Sequence, residues 1–383
     1  MDERDFVSDR TGRLLWEPKG MYYRFEPKLL PFDLNETPEL SEQAQRTMLA
    51  IGTLNGLTHR FSNEQIERFR LPFMLKEAQR SSEIEGTRST LSDVYREQKI
   101  AELDPEKRLD NEEIRNYRDA LEYALASEEP LSAELIRAVH RILLRGVPGA
   151  DREPGRFKRE QNAIGQRTDT LDSAKFVPAS PERTAPLIEN LIAYLAEEVH
   201  TLYRIALSHY QFEAIHPFRD GNGRLGRLLI VLLLCRKGVL RHPLLYVSEY
   251  LARNRDSYID ALYAASARGA IESWVLFLLT ALEVQALRSG ELLLAVDRYR
   301  EETITRVRAH SHSVRMHDLI SYLLVHPFVT TADVRTFLGV SQPAAWGLIH
   351  KLVEADIVRE IDAPGRMGVY VAHRYLDLLE GRL

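Results

Sequence analysis

The chain has 383 residues, 44% of them hydrophobic, with 51 Lys plus Arg against 56 Asp plus Glu and a formal net charge of −5. That length and apolar content support a full core spread over two or three domains. A single cysteine, Cys235, excludes an internal disulfide framework, and the longest purely apolar run, Leu228 to Cys235, is too short to span a bilayer. The opening Met1-Asp2-Glu3-Arg4-Asp5 is acidic rather than a secretory leader, so a cytoplasmic protein without a membrane partner is expected.

In chain order, Tyr22-Tyr23-Arg24-Phe25 with Pro27 and Pro31 predicts an irregular lead-in, followed by a helix around Glu39 to Gly56. A second helix is expected to start after Pro72 and to stop at Gly86, a good C-terminal residue. Glu85 then sits in the last turn, where its charge opposes the helix dipole at a cost of roughly 0.3 to 1 kcal/mol. Such an acid invites a distant cationic partner. Ser81, four residues earlier on the same face, is placed to hold its carboxylate.

The stretch from Glu112 to about Arg288 reads as long helices, interrupted once. Pro154-Gly155-Arg156-Phe157-Lys158, Gln161-Asn162-Ala163-Ile164-Gly165 and Phe176-Val177-Pro178 place β-compatible residues on either side of a polar, glycine-containing tip, the pattern of a short hairpin. An edge strand of that kind can clamp a partner through main-chain hydrogen bonds.

The densest chemistry lies in Ile215-His216-Pro217-Phe218-Arg219-Asp220-Gly221-Asn222-Gly223-Arg224-Leu225-Gly226-Arg227. A Gly-Asn-Gly turn can aim successive amides into one concavity, and the helix predicted from Arg224 to Lys237 adds its positive end. Arg224 and Arg227 fall on neighbouring positions of its first turn. Asp220 is placed to hold Mg2+ against phosphate oxygens, and His216 is the natural general base. A dinucleotide-binding reading of the glycines fails because Leu202, Ile205, Ala206, His209 and Phe212 before them have a helical rather than a strand rhythm. A Walker-type loop is excluded by the lack of a glycine followed at the required spacing by Lys and Ser or Thr. His209, seven residues before His216, is expected to be a structural hydrogen-bonding residue.

Taken whole, the run resembles the signature of the Fic family, His-x-Phe-x-(Asp or Glu)-Gly-Asn-Gly-Arg-x-x-Arg, at every fixed position. The resemblance implies a mainly α protein with an all-helical core and a short β-hairpin flap. It implies an enzyme that moves AMP from ATP, its co-substrate, onto a Tyr, Thr or Ser hydroxyl of a target protein. His216 would deprotonate that hydroxyl, Asp220 would bind Mg2+, and Gly221, Asn222 and Gly223 would hold the α- and β-phosphates. Arg224 and Arg227 would contact the β- and γ-phosphates, and Phe218 would anchor the loop. Ser81-Ser82-Glu83-Ile84-Glu85-Gly86 matches the family's inhibitory pattern, (Ser or Thr)-x-x-x-Glu-(Gly or Asn), so Glu85 would pair with Arg227 in place of the γ-phosphate. Gln161, Asn162, Ile164 and Phe176 would belong to the flap that docks the target, and Tyr246, Asn254 and Tyr258 are placed to line an adenine pocket. The implied division is 1–105 for an N-terminal region with the inhibitory helix, 106–290 for the catalytic core and 291–383 for a linker helix and a last module.

That last module has helix-turn-helix proportions: Thr331 to Phe337, a turn at Gly339, and Ser341 to Ala355. A hairpin from Ile357 to Ile361 and Met367 to Val371, turning at Ala363-Pro364-Gly365, completes the resemblance to an α+β winged helix. His310 and His312 fall in the linker before it and are expected to be solvated. From Glu301 to Leu383 there are nine Lys plus Arg and ten Asp plus Glu, so a protein-docking or homodimerising role is favoured over DNA. Two further functions remain open: removal of AMP from modified proteins with Glu85 orienting water, and a DNA-binding regulator with a vestigial core. The intact His216, Asp220, Asn222 and Arg227 argue against the second.

Overall fold

The computed structural model describes residues 1–100, 105–165, 169–197, 201–308, 313–363 and 366–382. A two-stranded antiparallel hairpin comes first, β1 (Gly12–Glu17) with β2 (Tyr22–Pro27), in a register that sets Leu14 opposite Phe25. Fifteen helices in all are found among the described residues. The first ten are α1 (Pro38–Thr58), α2 (Asn63–Ile84), α3 (Leu91–Glu97), α4 (Pro105–Ala126), α5 (Ala133–Leu143), α6 (Pro181–Ala196), α7 (Thr201–Ile215), α8 (Asn222–Arg236), α9 (Ser248–Arg253) and α10 (Arg255–Arg268). The 38-residue α11 (Ile271–Arg308) runs unbroken through residue 290 into the C-terminal module. That module comprises α12 (Val314–Leu323), β3 (Phe328–Thr330), α13 (Thr331–Leu338), α14 (Gln342–Glu354), β4 (Arg359–Ala363), β5 (Arg366–Val371) and α15 (His373–Glu380), with strand order β3-β5-β4.

Helix α8 forms the centre. Leu225 and Leu228 to Leu234 are all buried on it, so it is apolar on every face and must be surrounded, by α7, α4, α5 and α2. Helix α11 closes the other side against α1, α7 and α10. No helix among the described residues is long and apolar enough to cross a membrane.

Three sequence expectations need correction. Helix α2, which carries Ser81 and leads to Glu85, begins at Asn63, not after Pro72, because Ser62 and Gln65 form a reciprocal capping box; Pro72 lies inside the helix, buried. Tyr22-Tyr23-Arg24-Phe25 is a strand rather than an irregular lead-in, because it pairs with β1, and the hairpin is then anchored from far away in sequence. Phe25 donates its N–H to Val177 O at 2.8 Å and its ring packs against Phe176. The flap is not a laddered hairpin: its pairing is one antiparallel bridge, Ile164 with Phe176, and positions 166–168 at its tip lie outside the described residues. His310, His312 and the Pro364-Gly365 turn also lie outside them.

Candidate active site

A cavity of about 670 Å³ opens between the C-terminal end of α2, the α7–α8 loop, the first turn of α8, the start of α10 and the 163–165 and 175–176 segments. Glu85, His216, Asp220, Gly223, Arg224, Arg227 and Tyr258 face it.

Local bonds shape the loop. Helix α7 ends at Ile215, and His216 takes the sparsely populated left-handed backbone at φ 49°. Several groups hold that conformation in place. Asn222 clamps Phe218 from both ends of its amide, accepting from Phe218 N–H and donating to Phe218 O, each at 2.8 Å. The Asn162 amide donates to His216 O at 3.0 Å and Phe218 O at 2.8 Å. Buried Lys158 donates to Ile215 O at 2.9 Å and to Asn162 Oδ1 at 2.8 Å, and burial pushes its ammonium down to about 7. Phe218 is fully buried and stacks on His140 at 3.7 Å between ring centroids. The His140 ring accepts Gly155 N–H at Nδ1 and donates from Nε2 to Asp220 O, both at 2.8 Å, which defines a neutral tautomer. Burial lowers its pKa to about 4, in keeping with that state.

Gly221 is the N-cap of α8 at φ 74°, a conformation that suits glycine and turns the first helical amides towards the cavity. Above them lies the Glu85 carboxylate. A Cβ at Gly223 would overlap Glu85 Oε1, so a glycine here is what lets an anion rest on the helix terminus.

Arg227 is almost wholly buried, and α2 takes up its guanidinium. Its Nε donates to Ser81 Oγ at 2.9 Å, and its Nη2 donates to Ser81 O at 2.9 Å and Glu85 Oε1 at 2.7 Å. Burial works against the Glu85 charge, but the Arg227 guanidinium outweighs it and lowers the carboxyl pKa below its ordinary value. The Glu85 side chain is nonetheless 43% exposed to the cavity. Thus one end of the ion pair is enclosed and the other is open.

The remaining acids and bases follow the same economy. His216 Nδ1 lies 3.7 Å from Glu213 Oε2, beyond hydrogen-bond reach, and both His216 Nδ1 and Glu213 Oε1 are buried without a partner. Arg224 faces Glu113 at 3.3 Å and Asp220 at 3.7 Å, while its Nε and Nη1 lack a hydrogen-bond acceptor. Buried guanidinium donors in that state suit an anionic ligand. Glu113 is raised above its ordinary pKa by burial, with Arg224 and the Thr87 hydroxyl opposing. Asp220 takes the Gly221 N–H on Oδ1 at 2.6 Å, and its side chain is 44% exposed at the cavity rim. One hard oxygen donor beside an anion-binding turn fits Mg2+, which takes one or two carboxylates and completes its shell with phosphate and water. No group of three or more His, Cys, Asp or Glu among the described residues is placed to hold a metal ion.

The predicted site residues divide clearly. Ser81, Glu85, His216, Asp220, Gly221, Gly223, Arg224 and Arg227 converge, and Gly86 follows at φ 107°. The Asn222 side chain, expected at phosphate, is committed to the loop clamp because both ends of its amide are bonded to Phe218. Tyr258 reaches the cavity wall, its hydroxyl 2.8 Å from His209 Nε2, and His209 Nδ1 contacts Gly226 O, the structural role expected of it. Tyr246 and Asn254 do not line the cavity. Tyr246 is core, edge-on to Phe73 with Lys76 over its ring, and Asn254 donates back to Tyr250 O at the break between α9 and α10. Ile164 and Phe176 line the cavity, but Gln161 and Asn162 turn inward, Gln161 to Pro178 O at 3.0 Å and Asn162 to the catalytic loop. Sequence reasoning missed His140, Glu113, Glu213 and Arg255. Arg255 lines the cavity and caps Ile84 O, at the end of α2, from 3.1 Å. His140, Glu113 and Arg255 carry no local mark, since each matters through a distant partner, whereas Glu213 stands one helical turn before His216.

Comparison with known proteins places the signature segment within a family match. The family model "Fic/DOC family" matches residues 130–234, and "Fic/DOC family N-terminal" matches 41–126. A probable protein adenylyltransferase of Aquifex aeolicus is 38% identical over 100 residues, covering 26% of this chain and 28% of that protein. The protein adenylyltransferase Fic of Drosophila yakuba is 28% identical over 231 residues, covering 57% of this chain and 42% of its own. The match therefore spans well under half the length of either relative. The crystal structure of a Fic family protein from Desulfovibrio desulfuricans superposes with a TM-score of 0.57 at 22% identity, covering 88% of this chain and 97% of that one, a likeness of fold.

Proposed function

The chain belongs to the Fic/DOC family, and on that premise we propose that it is a protein adenylyltransferase held closed by its own Glu85. The observation that carries the reading is the 2.7 Å pair between Glu85 and Arg227, set over the anion-binding start of α8 in the cavity that contains His216 and Asp220.

In the open state, the first-turn amides of α8, Arg224 and Arg227 bind the triphosphate of ATP. His216 Nε2 takes the proton from a target hydroxyl as that oxygen forms its bond to the α-phosphorus. The bond from the α-phosphorus to the bridging oxygen breaks, and pyrophosphate leaves with the electron pair. Asp220 would hold the Mg2+, which supplies charge neutralisation on the phosphates. Most of the catalysis then comes from positioning and from donors fixed before reaction, which is why so many bonds hold the His216 loop. In the closed state, Glu85 occupies Arg227 and the helix terminus, so the triphosphate cannot take both.

The test is incubation with α-labelled ATP and Mg2+ of wild type, Glu85→Gly and His216→Ala. Label transfer to protein, including self-modification, is expected to rise with Glu85→Gly and to vanish with His216→Ala. Transfer that is unchanged or lower in Glu85→Gly would sink the inhibitory role.

A second reading draws on the exposure of Glu85 to the cavity: a carboxylate open to solvent beside the phosphate site can orient a water for removal of AMP. It predicts AMP release from a modified protein by wild type and none by Glu85→Gly. The two readings thus assign the same variant opposite outcomes.

A further inference from the structure

A second cleft, outside the catalytic cavity, lies where α3 meets the C-terminal module. It has a volume of about 220 Å³ and is walled by Arg96 of α3, Arg359 of β4, His373 and Asp377 of α15, and Arg382. Its charge is unbalanced. Arg382 is satisfied by Asp377 at 2.9 Å and by Glu380. Among the described residues, Arg96 and Arg359 have no carboxylate at ion-pair distance. The Arg96 Nε and the His373 Nδ1 are both buried with no hydrogen-bond partner.

The fourth wall is a helix end. His373 opens α15, and the N-cap Ala372 offers no side-chain cap, so the first-turn amides of α15 are left to another acceptor. Burial, and then the neighbouring Arg359, lower the His373 pKa, as a cation-rich setting requires. Two guanidiniums without a carboxylate partner, a half-buried one on Arg96 and an exposed one on Arg359, share this small space with the His373 ring at the start of α15. Buried polar atoms without partners are rare in folded proteins, and the two here, Arg96 Nε and His373 Nδ1, call for a ligand.

We propose that this cleft binds a phosphate group, either as the free ion or as a small phosphomonoester. The fork of Arg96 suits two phosphate oxygens at once, and Arg359 and the α15 amides suit the others. The volume falls below the roughly 300 to 1,000 Å³ of sites for larger ligands, which limits the occupant to a small one. The site is also close to the inhibitory helix: Lys76 of α2, buried, donates to Leu379 O in the last turn of α15 at 2.7 Å. The proposal does not depend on the catalytic reading of the first cavity.

The experiment is isothermal titration of the full chain with inorganic phosphate and, separately, with glycerol phosphate, in the presence of Mg2+ and a saturating non-hydrolysable ATP analogue that fills the catalytic cavity. One site of roughly millimolar affinity or tighter is expected. The tighter of the two titrants distinguishes a free from an esterified source. Arg96→Gln and Arg359→Gln should each weaken binding by about tenfold, the loss of one charge-assisted hydrogen bond, and Arg96→Lys should recover part of it. Arg359 is exposed on a strand, so its substitution leaves the fold testable even if that of Arg96 does not. Absence of heat from both titrants, or an affinity in both Gln variants equal to that of the wild type, would overturn the site.

Discussion

The signature segment and the helix α2 meet at Arg227, yet they are held by different balances of contact. The loop is closed in part by its own neighbours, Asn222 clamping Phe218 four residues away and His216 N–H returning to Phe212 O at 2.9 Å, and in part by Asn162, Lys158 and His140 from earlier in the chain. The helix α2 depends on residues far along the chain. Ser81 and Glu85 meet Arg227 across 146 and 142 positions, and Glu77 accepts Ser248 N–H across 171. The charged groups of the signature therefore lie in one short segment, while the Glu85–Arg227 pair is a tertiary contact that can be lost with the loop intact.

Variants can test that separation, beginning with the largest effect. His216→Ala should lower AMP transfer by about 10² to 10⁴-fold, the usual worth of a general base, with affinity for an ATP analogue little changed. A parallel collapse of affinity would show that the loop is not independent of its base. Glu85→Gly should raise transfer by on the order of 10²-fold if the closed state is favoured by about 3 kcal/mol. Its melting temperature should show that α2 stays docked, since Glu77 and Ser81 remain.

Ser81→Ala removes only the hydroxyl acceptor of Arg227 Nε, worth about 1 kcal/mol, so a roughly fivefold rise in transfer is expected. A response equal to that of Glu85→Gly would mean that Ser81, and not the carboxylate, is the main latch. The smallest effect concerns Glu77, one turn before Ser81. Burial raises its pKa to about 7, although Ser248 and the Tyr117 hydroxyl donate to it. The folded protein thus holds this proton more tightly than the unfolded chain, and stability declines as pH rises from about 4.5 to about 7. In thermal melts across that window, Glu77→Gln should gain on wild type by a few °C at the higher pH. A difference independent of pH would place the titration elsewhere.

Legibility followed the range of the contacts. The helix that follows the signature, the turn at Gly339 between two helices, and the grouping of His216, Asp220, Arg224 and Arg227 could all be read from residues near one another in sequence. The start of α2 was misplaced because Pro72 suggested a boundary, whereas the cap lies at Ser62 and packing accommodates the proline. Tyr246 and Asn254 followed the signature closely and yet miss the cavity. Spacing along a helix says which residues share a face, not which neighbour that face will meet.

By itself the sequence determined the turn, the helix start and the Asn222 clamp of the signature segment, because these close within a few residues of one another through backbone preference and short-range hydrogen bonds. It also supplied Glu85 and Arg227 as an acid and a base without fixing their distance. Only the tertiary structure decided that α2 lies across the start of α8, that Asn162 and Lys158 turn inward to the loop, and that His140 rather than a lining residue supports Asp220. Those outcomes depend on how buried apolar faces pack around α8, a property of the whole core.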